Sequence, residues 1–409
     1  RSNDRMKLIV QKFGGTSVKT AESRQLAIGH INNALKKGYQ SVVVVSAIGR
    51  SGDPYATDTL LGLVDSPHTA LSLREQDMLV SVGELISANV FADMLNKAGI
   101  KAAALSGGQA GILTDANYQN ADILAVNPKR IFHELNNGAD VVVVAGFQGH
   151  APNGDVTTLG RGGSDTSAAA LGVAVKAEFI DIFTDVEGIM TADPRVVKKA
   201  IQLDKISYTE VMQMATEGAK VIHPRAVETA NKGKVPMRVR STYSQNEGTL
   251  ITDISPIEQT TAQQDRALFC GVTHINNLCQ FTITKPAQLD EHSLTAILKE
   301  NRVNASFIST NETHLLFSVP DVKRELIEDV LVNNGNVVTI REKCAKITVV
   351  GIEHRHMKDV SQTILTALDN ENIQILQTKS NANTLWVLVD EVNMIQAANS
   401  LHDIFNQTL

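Results

Sequence analysis

Apolar positions over the first 245 residues alternate between two patterns. Short β-branched runs occur at Leu8–Val10, Val42–Val45, Val141–Val144, Phe179–Phe183 and Met237–Val239. Between them lie stretches with helical spacing, Ala21–Lys37, Gln76–Lys97, Pro128–Asn137, Ser164–Val175 and Pro224–Lys232. The four-valine runs lack the alternation of a half-exposed strand and predict strands buried on both faces. Strand–helix alternation of this kind predicts an α/β domain, a mainly parallel sheet between helices. Ligands of such sheets bind beyond the carboxyl ends of the strands, so chemistry is expected in the loops that follow these runs.

The pattern changes after residue 245. Residues 246–265 are polar and turn-rich and read as a linker. Beyond them a repeat appears at an offset of 70 residues: Leu298 matches Leu368, Val303 matches Ile373, Asn304 matches Gln374, Leu315 matches Leu385 and Val319 matches Val389. Each copy reads as strand, helix, strand, strand, helix, an open α+β unit with one apolar helix face. The predicted division is an α/β domain over 6–245, the linker 246–265, and α+β units over 266–335 and 336–409. Two small sheets with exposed edges are expected to pair side by side or across a dimer.

Composition narrows the partners. Of 409 residues, 43% are hydrophobic, ample for buried cores, and the net charge of −6 gives no reason to expect nucleic acid or anionic membrane. No apolar run approaches the length of a bilayer span. Arg1–Arg5 reads as a remnant ahead of a natural start at Met6. The three cysteines, Cys270, Cys279 and Cys344, suit a reducing cytoplasm better than a disulfide framework or metal site.

The candidate chemistry begins at Lys12-Phe13-Gly14-Gly15-Thr16-Ser17, directly after the first run. Glycines let backbone N–H groups approach a phosphate closely, and the lysine adds a mobile positive charge. The Walker order is absent, and an ordinary Gly-Gly turn would also fit. The second run leads into Ser46-Ala47-Ile48-Gly49 and then Thr57-Asp58. The densest signal is Gly160-Arg161-Gly162-Gly163-Ser164-Asp165-Thr166-Ser167, where Ser164 or Asp165 is expected to cap a helix whose exposed N–H groups bind an anion. Arg161 supplies a forked cation suited to a carboxylate. The fourth run opens into Thr184-Asp185 and the polar segment through Met190-Thr191-Ala192-Asp193-Pro194-Arg195, either a solvated loop or a nucleotide frame. Lys220-Val221 precede a proline-started helix at His223-Pro224, where the histidine reads as a packing or capping residue. Glu84, on an otherwise apolar helix, must be exposed or paired with a cation, since burial without a partner is costly.

Taken together, these ordered motifs resemble the aspartokinases of the amino-acid kinase family, and the likeness spans nearly the whole chain. Within that family it is similar to the Bacillus-type diaminopimelate-pathway enzymes. The resemblance implies an amino-acid kinase fold followed by two ferredoxin-like ACT domains. It implies transfer of the γ-phosphoryl group of ATP to the β-carboxylate of L-aspartate, the step that opens the routes to lysine, diaminopimelate, threonine and methionine. By this likeness Lys12 stabilises the transferring phosphoryl group and Asp165 orients Lys12. Lys12, Phe13, Gly14, Gly15, Thr184, Asp185, Met190–Arg195, Lys220 and Val221 frame the nucleotide. Ser46, Thr57, Glu84, Arg161, Gly162, Gly163 and Ser164 form the aspartate pocket, with Arg161 on the α-carboxylate and Glu84 on the ammonium. Mg²⁺ is expected to ride mainly on the nucleotide phosphates, with no protein ligand assigned.

The candidate effector segments are Asn304-Ala305-Ser306-Phe307 and Gln374-Ile375, for diaminopimelate, lysine or threonine. A cytoplasmic homodimer or larger assembly joined through the ACT units is implied. A glutamate or N-acetylglutamate kinase and a catalytically silent amino-acid sensor are the competing readings. The contexts of Glu84 and Arg161, and the presence of both Lys12 and Lys220, weigh against them.

Overall fold

The computed structural model describes residues 7–253, 269–285, 289–353 and 356–405. Arg1–Met6, read as a remnant and start, and 254–265 of the stretch read as linker lie outside the described residues. The chain divides into two units. The first comprises Arg1–Ile189, Gln202–Ala215 and Lys220–Ser255, and the second Met190–Ile201, Thr216–Ala219 and Pro256–Leu409.

The first unit runs β1 (Lys7–Phe13), α1 (Ala21–Lys36), β2 (Tyr39–Val45), α2 (Thr57–Gly62), α3 (Leu73–Lys97), β3 (Ala102–Leu105), β4 (Ile112–Thr114) and β5 (Ile123–Val126). It continues α4 (Lys129–Asn136), β6 (Val141–Ala145), β7 (Gln148–His150), β8 (Val156–Thr158), α5 (Gly163–Ala174) and β9 (Phe179–Thr184). It closes with β10 (Lys205–Ser207), α6 (Tyr208–Thr216), α7 (Pro224–Gly233), β11 (Met237–Ser241) and β12 (Thr249–Thr252). An eight-stranded sheet has the order β10-β12-β11-β9-β1-β2-β6-β3, parallel except for β11 against β12. The valines of β2 and β6 are fully buried, as strands covered on both faces require. On one face, Phe13, Val43, Val45, Val141 and Val143 pack on Ala27 and Ile31 of α1 and Phe91 and Leu95 of α3. A smaller sheet, β5-β4-β7-β8, carries the loops beside it.

Three local expectations are corrected. The helix expected to be capped by Ser164 or Asp165 starts earlier, at Gly163, with Gly162 as N-cap and no side-chain cap. The cap position has φ +68, which glycine adopts without strain, and Asp165 turns instead to Lys12. Within the stretch read as linker, Thr249–Thr252 forms β12 and pairs with β10 and β11. Finally, α3 is long and apolar enough to cross a membrane by length and composition, against the expectation that no run is. Half of its apolar window is buried, with Phe91 and Leu95 in the core. Its interior position on the sheet accounts for that apolar character.

The second unit contains β13 (Gly271–Thr284), α8 (Glu291–Glu300), β14 (Ser306–Thr310), β15 (His314–Pro320), α9 (Arg324–Asn333), β16 (Val338–Val350), α10 (Met357–Asn370), β17 (Gln377–Ser380), β18 (Thr384–Asp390) and α11 (Met394–His402). Both copies of the repeat join one six-stranded sheet, β14-β15-β13-β16-β18-β17, rather than two small sheets. The reason lies in two long strands. Gly271–Ile275 of β13 pairs with Lys346–Val350 of β16, whereas Leu278–Thr284 pairs with β15 and with Val338–Arg341. Register shifts after Ile275 mark the passage between copies, with Asn277 at φ +55 and Lys343 at φ +51. Each copy thus has a ferredoxin-like strand order and its own helix pair. Leu298 and Leu368 occupy the same place in α8 and α10, each buried in its own core.

Candidate active site

In the first unit, β1, β2 and β9 end side by side, with Phe13 paired to Val45 and to Phe183. Their exits define a cleft of about 190 Å³. Lys12, on the last turn-facing positions of β1, extends its ammonium to Asp165 in the first turn of α5, Nζ to Oδ1 2.8 Å. Each side chain is 13% exposed, so the pair is partly desolvated but open to a ligand. The glycine loop after β1 is held by close packing. A Cβ on Gly15 would lie 2.4 Å from the Gly49 carbonyl oxygen, and the Gly49 N–H donates to the Gly15 carbonyl at 3.1 Å. Two backbone loops therefore meet at a distance that no larger residue permits.

The turn before α5 is equally constrained. A Cβ on Gly162 would fall 2.2 Å from the His223 ring, and one on Gly163 2.6 Å from Phe147. The His223 Nδ1 accepts from the Arg225 N–H at 3.3 Å and caps α7. Burial lowers its pKa, which keeps that ring an acceptor. Arg161, in the same turn, is exposed and makes no hydrogen bond or ion pair with the described residues.

Glu84 differs from the expectation that it is exposed or paired with a cation. It is 2% exposed, its Oε1 accepts only from the Ala47 N–H at 3.3 Å, and its Oε2 has no partner among the described residues. Burial pushes its pKa up to about 8. The apolar helix face carries the carboxyl inward because α3 is packed against the loop after β2, where Gly83 lies in contact distance of Ala47 and Tyr55.

The expected residues separate into groups. Lys12, Gly14, Gly15, Asp165, Thr184, Asp185 and Val221 line the first cleft. Thr57 lines a second cleft of about 290 Å³, with Asp77, Phe147 and Thr158. Ser46, Glu84, Arg161, Ser164, Phe13 and Lys220 line neither, although Ser46 donates its N–H to the Phe13 carbonyl at 3.2 Å. Met190, Thr191, Ala192, Asp193, Pro194 and Arg195 belong to the second unit. There Thr191 bonds His402, Oγ1 to Nε2 2.8 Å, and Ala192 joins the core under α11. Arg195 pairs with Asp193 at 2.8 Å, which holds the Asp193 pKa below the usual carboxylate range.

Among the lining residues that escaped the sequence reading are Arg50 and Phe147. Arg50 lines the cleft and reaches Asp185 at 3.5 Å. Its signal was its place one residue after Gly49, in the loop that leaves β2. Phe147 adopts φ +70, with its N–H bonded to Ser167 Oγ at 3.0 Å. Nothing in the run Ala145–Gly149 distinguished it.

In the second unit the two effector segments approach each other. Gln377 donates to the Phe307 carbonyl and to Ser309 Oγ, the latter at 2.8 Å, and Lys379 Nζ donates to the Ile308 carbonyl at 3.1 Å. Phe307 is buried at φ +58, whereas Asn304 and Gln374 are exposed and Ala305, Ser306 and Ile375 half-buried. Among the described residues, no group of three or more His, Cys, Asp or Glu side chains is arranged to hold a metal ion.

Residues 7–241 match the Amino acid kinase family and residues 339–403 match the ACT domain. The chain is 48% identical over 404 residues to Aspartokinase 1 of Bacillus subtilis, covering 98% of this chain and 99% of the relative. It is 36% identical to the aspartokinase of Geobacillus stearothermophilus, covering 98% and 97%. Among solved structures it superposes on E. coli aspartokinase III in complex with aspartate and ADP with a TM-score of 0.76 at 25% identity, covering 97% of this chain and 99% of that one.

Proposed function

The chain belongs to the aspartokinases of the amino acid kinase family, and we propose that its first cleft is where the ATP γ-phosphoryl group passes to the aspartate β-carboxylate. It is an ATP-dependent phosphotransferase that makes 4-phospho-L-aspartate, and its ACT domains make it a regulated one. The observation that carries the site assignment is the Lys12–Asp165 pair at 2.8 Å in a cleft bounded by Gly14 and Gly15.

The chemistry needs no general base, because an aspartate carboxylate is already ionised at neutral pH. The obstacle is repulsion between that anion and the phosphate. Lys12 supplies the positive charge that the transferring group develops against, and Asp165 keeps its ammonium aimed into the cleft. Gly14 and Gly15 let the backbone approach the phosphates, while Thr184, Asp185, Lys220 and Val221 frame the nucleotide from β9 and the segment before α7. Thr191, Asp193 and Arg195 join that frame by the family likeness. Mg²⁺ would arrive on the nucleotide phosphates and neutralise charge there.

Arg161 is the clamp for the substrate α-carboxylate. Ser46, Thr57, Gly162, Gly163 and Ser164 complete that pocket, and Glu84 receives the ammonium. The buried, otherwise unsatisfied Glu84 Oε2 supports that last assignment, since a cation is what such an oxygen lacks. The same reading assigns 6–245 to catalysis, with the 246–265 stretch lending Thr249–Thr252 to that sheet before it serves as linker, and 266–335 and 336–409 to the ACT copies, with Gly271–Ile275 lent to the second. An amino-acid effector (diaminopimelate, lysine or threonine) binds at Asn304–Phe307 and Gln374–Ile375. The protein works in the cytoplasm as a homodimer or larger assembly. Comparing ATP turnover with aspartate, glutamate and N-acetylglutamate tests the acceptor. Turnover confined to aspartate is expected, and equal turnover with either of the others overturns the assignment.

A further inference from the structure

The second unit contains a buried ion pair that none of the chemistry above uses. Lys346 on β16 is 5% exposed and places its Nζ 2.5 Å from Glu217 Oε2. Thr348, on the same strand, donates its hydroxyl to the same oxygen at 3.0 Å. Glu217 belongs to the short segment Thr216–Ala219, which packs with this sheet. The next residue, Gly218, has φ +113, and a Cβ there would lie 2.4 Å from the His274 carbonyl oxygen of β13. The segment is thus seated on the backbone of β13 and tied by charge to β16. Along the chain, Lys220 and Val221 follow directly after it. The same ammonium also donates to Ser306 Oγ at 3.4 Å and stands 5.8 Å from the Phe307 ring centroid.

A buried lysine–glutamate pair is a poor device for stability alone. Desolvation offsets most of its attraction, and an apolar pair of similar volume would pack as well. What such a pair supplies is a fixed position, because a displaced partner leaves a charge buried alone. We propose that Lys346 and Thr348, acting through Glu217, are positioning residues for the nucleotide, fixing the segment that leads into Lys220 and Val221. The inference rests on the reading of Lys220 as a nucleotide contact. Aspartate, held by residues of other loops, does not depend on this segment.

The test uses the full chain with Glu217→Gln, Lys346→Met, the charge reversal Glu217→Lys with Lys346→Glu, and Lys220→Ala as a reference. ADP affinity by titration calorimetry, KM for ATP and for aspartate, and melting temperature are read for each. Glu217→Gln and Lys346→Met should each weaken ADP binding roughly five- to tenfold and raise the ATP KM in step, with the aspartate KM changed less than about twofold. The charge reversal should recover part of that loss. Lowered melting temperature with unchanged ADP affinity would make the pair structural and overturn the proposal. If a single variant fails to fold, Thr348→Val, which removes only one donor, should move ADP affinity in the same direction, and no movement there also overturns it. Weakened binding in Lys220→Ala but not in the pair variants defeats this inference alone, whereas unchanged binding in Lys220→Ala defeats the nucleotide reading beneath it.

Discussion

Lys12 and Asp165 lie far apart in the catalytic unit's sequence and meet at 2.8 Å, the lysine from a strand end and the aspartate from the first turn of α5. Each is mostly buried, so each limits where the other can point. Lys12→Ala should leave a folded protein whose kcat falls about 10²–10³-fold, the loss typical of one charged contact to a transition state. Asp165→Asn should keep the fold and reduce kcat less, since it misaims the ammonium rather than removing it. Steady-state assays with matched circular dichroism check both. Substantial turnover in Lys12→Ala would remove the lysine from the mechanism.

Arg161 gains nothing from packing in its exposed glycine turn, so its cost and benefit should appear only with substrate. Arg161→Ala is expected to raise the aspartate KM by at least about tenfold, in line with a charge-assisted bidentate contact, while the ATP KM moves little. The melting temperature should stay within a degree or two of the parent. An unchanged aspartate KM would reject the clamp.

Glu84 carries the clearest pH signature. Its folded-state pKa of about 8 stands above the ordinary glutamate value of 4.5, so the folded protein binds a proton more tightly than the unfolded chain does. Stability contributed this way is full below about pH 4.5 and is lost as pH rises through 8. Glu84→Gln removes that dependence, so its melting temperature relative to the parent should rise between pH 5 and pH 8.5. A cationic ammonium favours the ionised carboxyl. Aspartate binding near pH 7 should therefore release close to one proton per site, read by calorimetry in buffers of different ionisation enthalpy. The absence of proton release would separate Glu84 from the ammonium.

Gly162 tests the turn itself. Alanine there meets both a left-handed φ of +68 and the His223 ring at 2.2 Å. The first strain alone costs about 1–2 kcal/mol, and the second requires His223 to leave its capping position. Gly162→Ala should therefore lower the melting temperature and impair turnover together. Normal stability would show that the turn has room the geometry denies.

How far the sequence reveals all this depends on the kind of interaction. The valine runs at 42–45 and 141–144 announced buried parallel strands because every residue in them faces protein. Helices α1, α3, α4, α5 and α7 were legible from their apolar spacing because one face of each packs on protein. Short strands such as β4, β7 and β8 were not, since three residues carry too little periodicity to read. Glu84 misled in part: its apolar neighbours showed the helix face to be inward, but the rule that buried charge must be paired assumed full ionisation, and the proton it retains was invisible in sequence. The union of the two ACT copies depends on β13 and β16 being long enough to serve twice, and a break in register rather than in composition marks the handover. The segments Met190–Ile201 and Thr216–Ala219 read as parts of the catalytic domain by order, yet they pack with the regulatory sheet.

The shared strands β13 and β16 make the two ACT copies inseparable. Cutting the chain between residues 342 and 344 would hand the second copy its central strand while stranding its outer one, Gly271–Ile275, on the first fragment. The second piece would then lack a complete four-stranded layer, and the first would carry Gly271–Ile275 without the strand it pairs with. The duplication visible at the 70-residue offset has ceased to be modular: any domain swap or transplant between relatives must carry both halves at once.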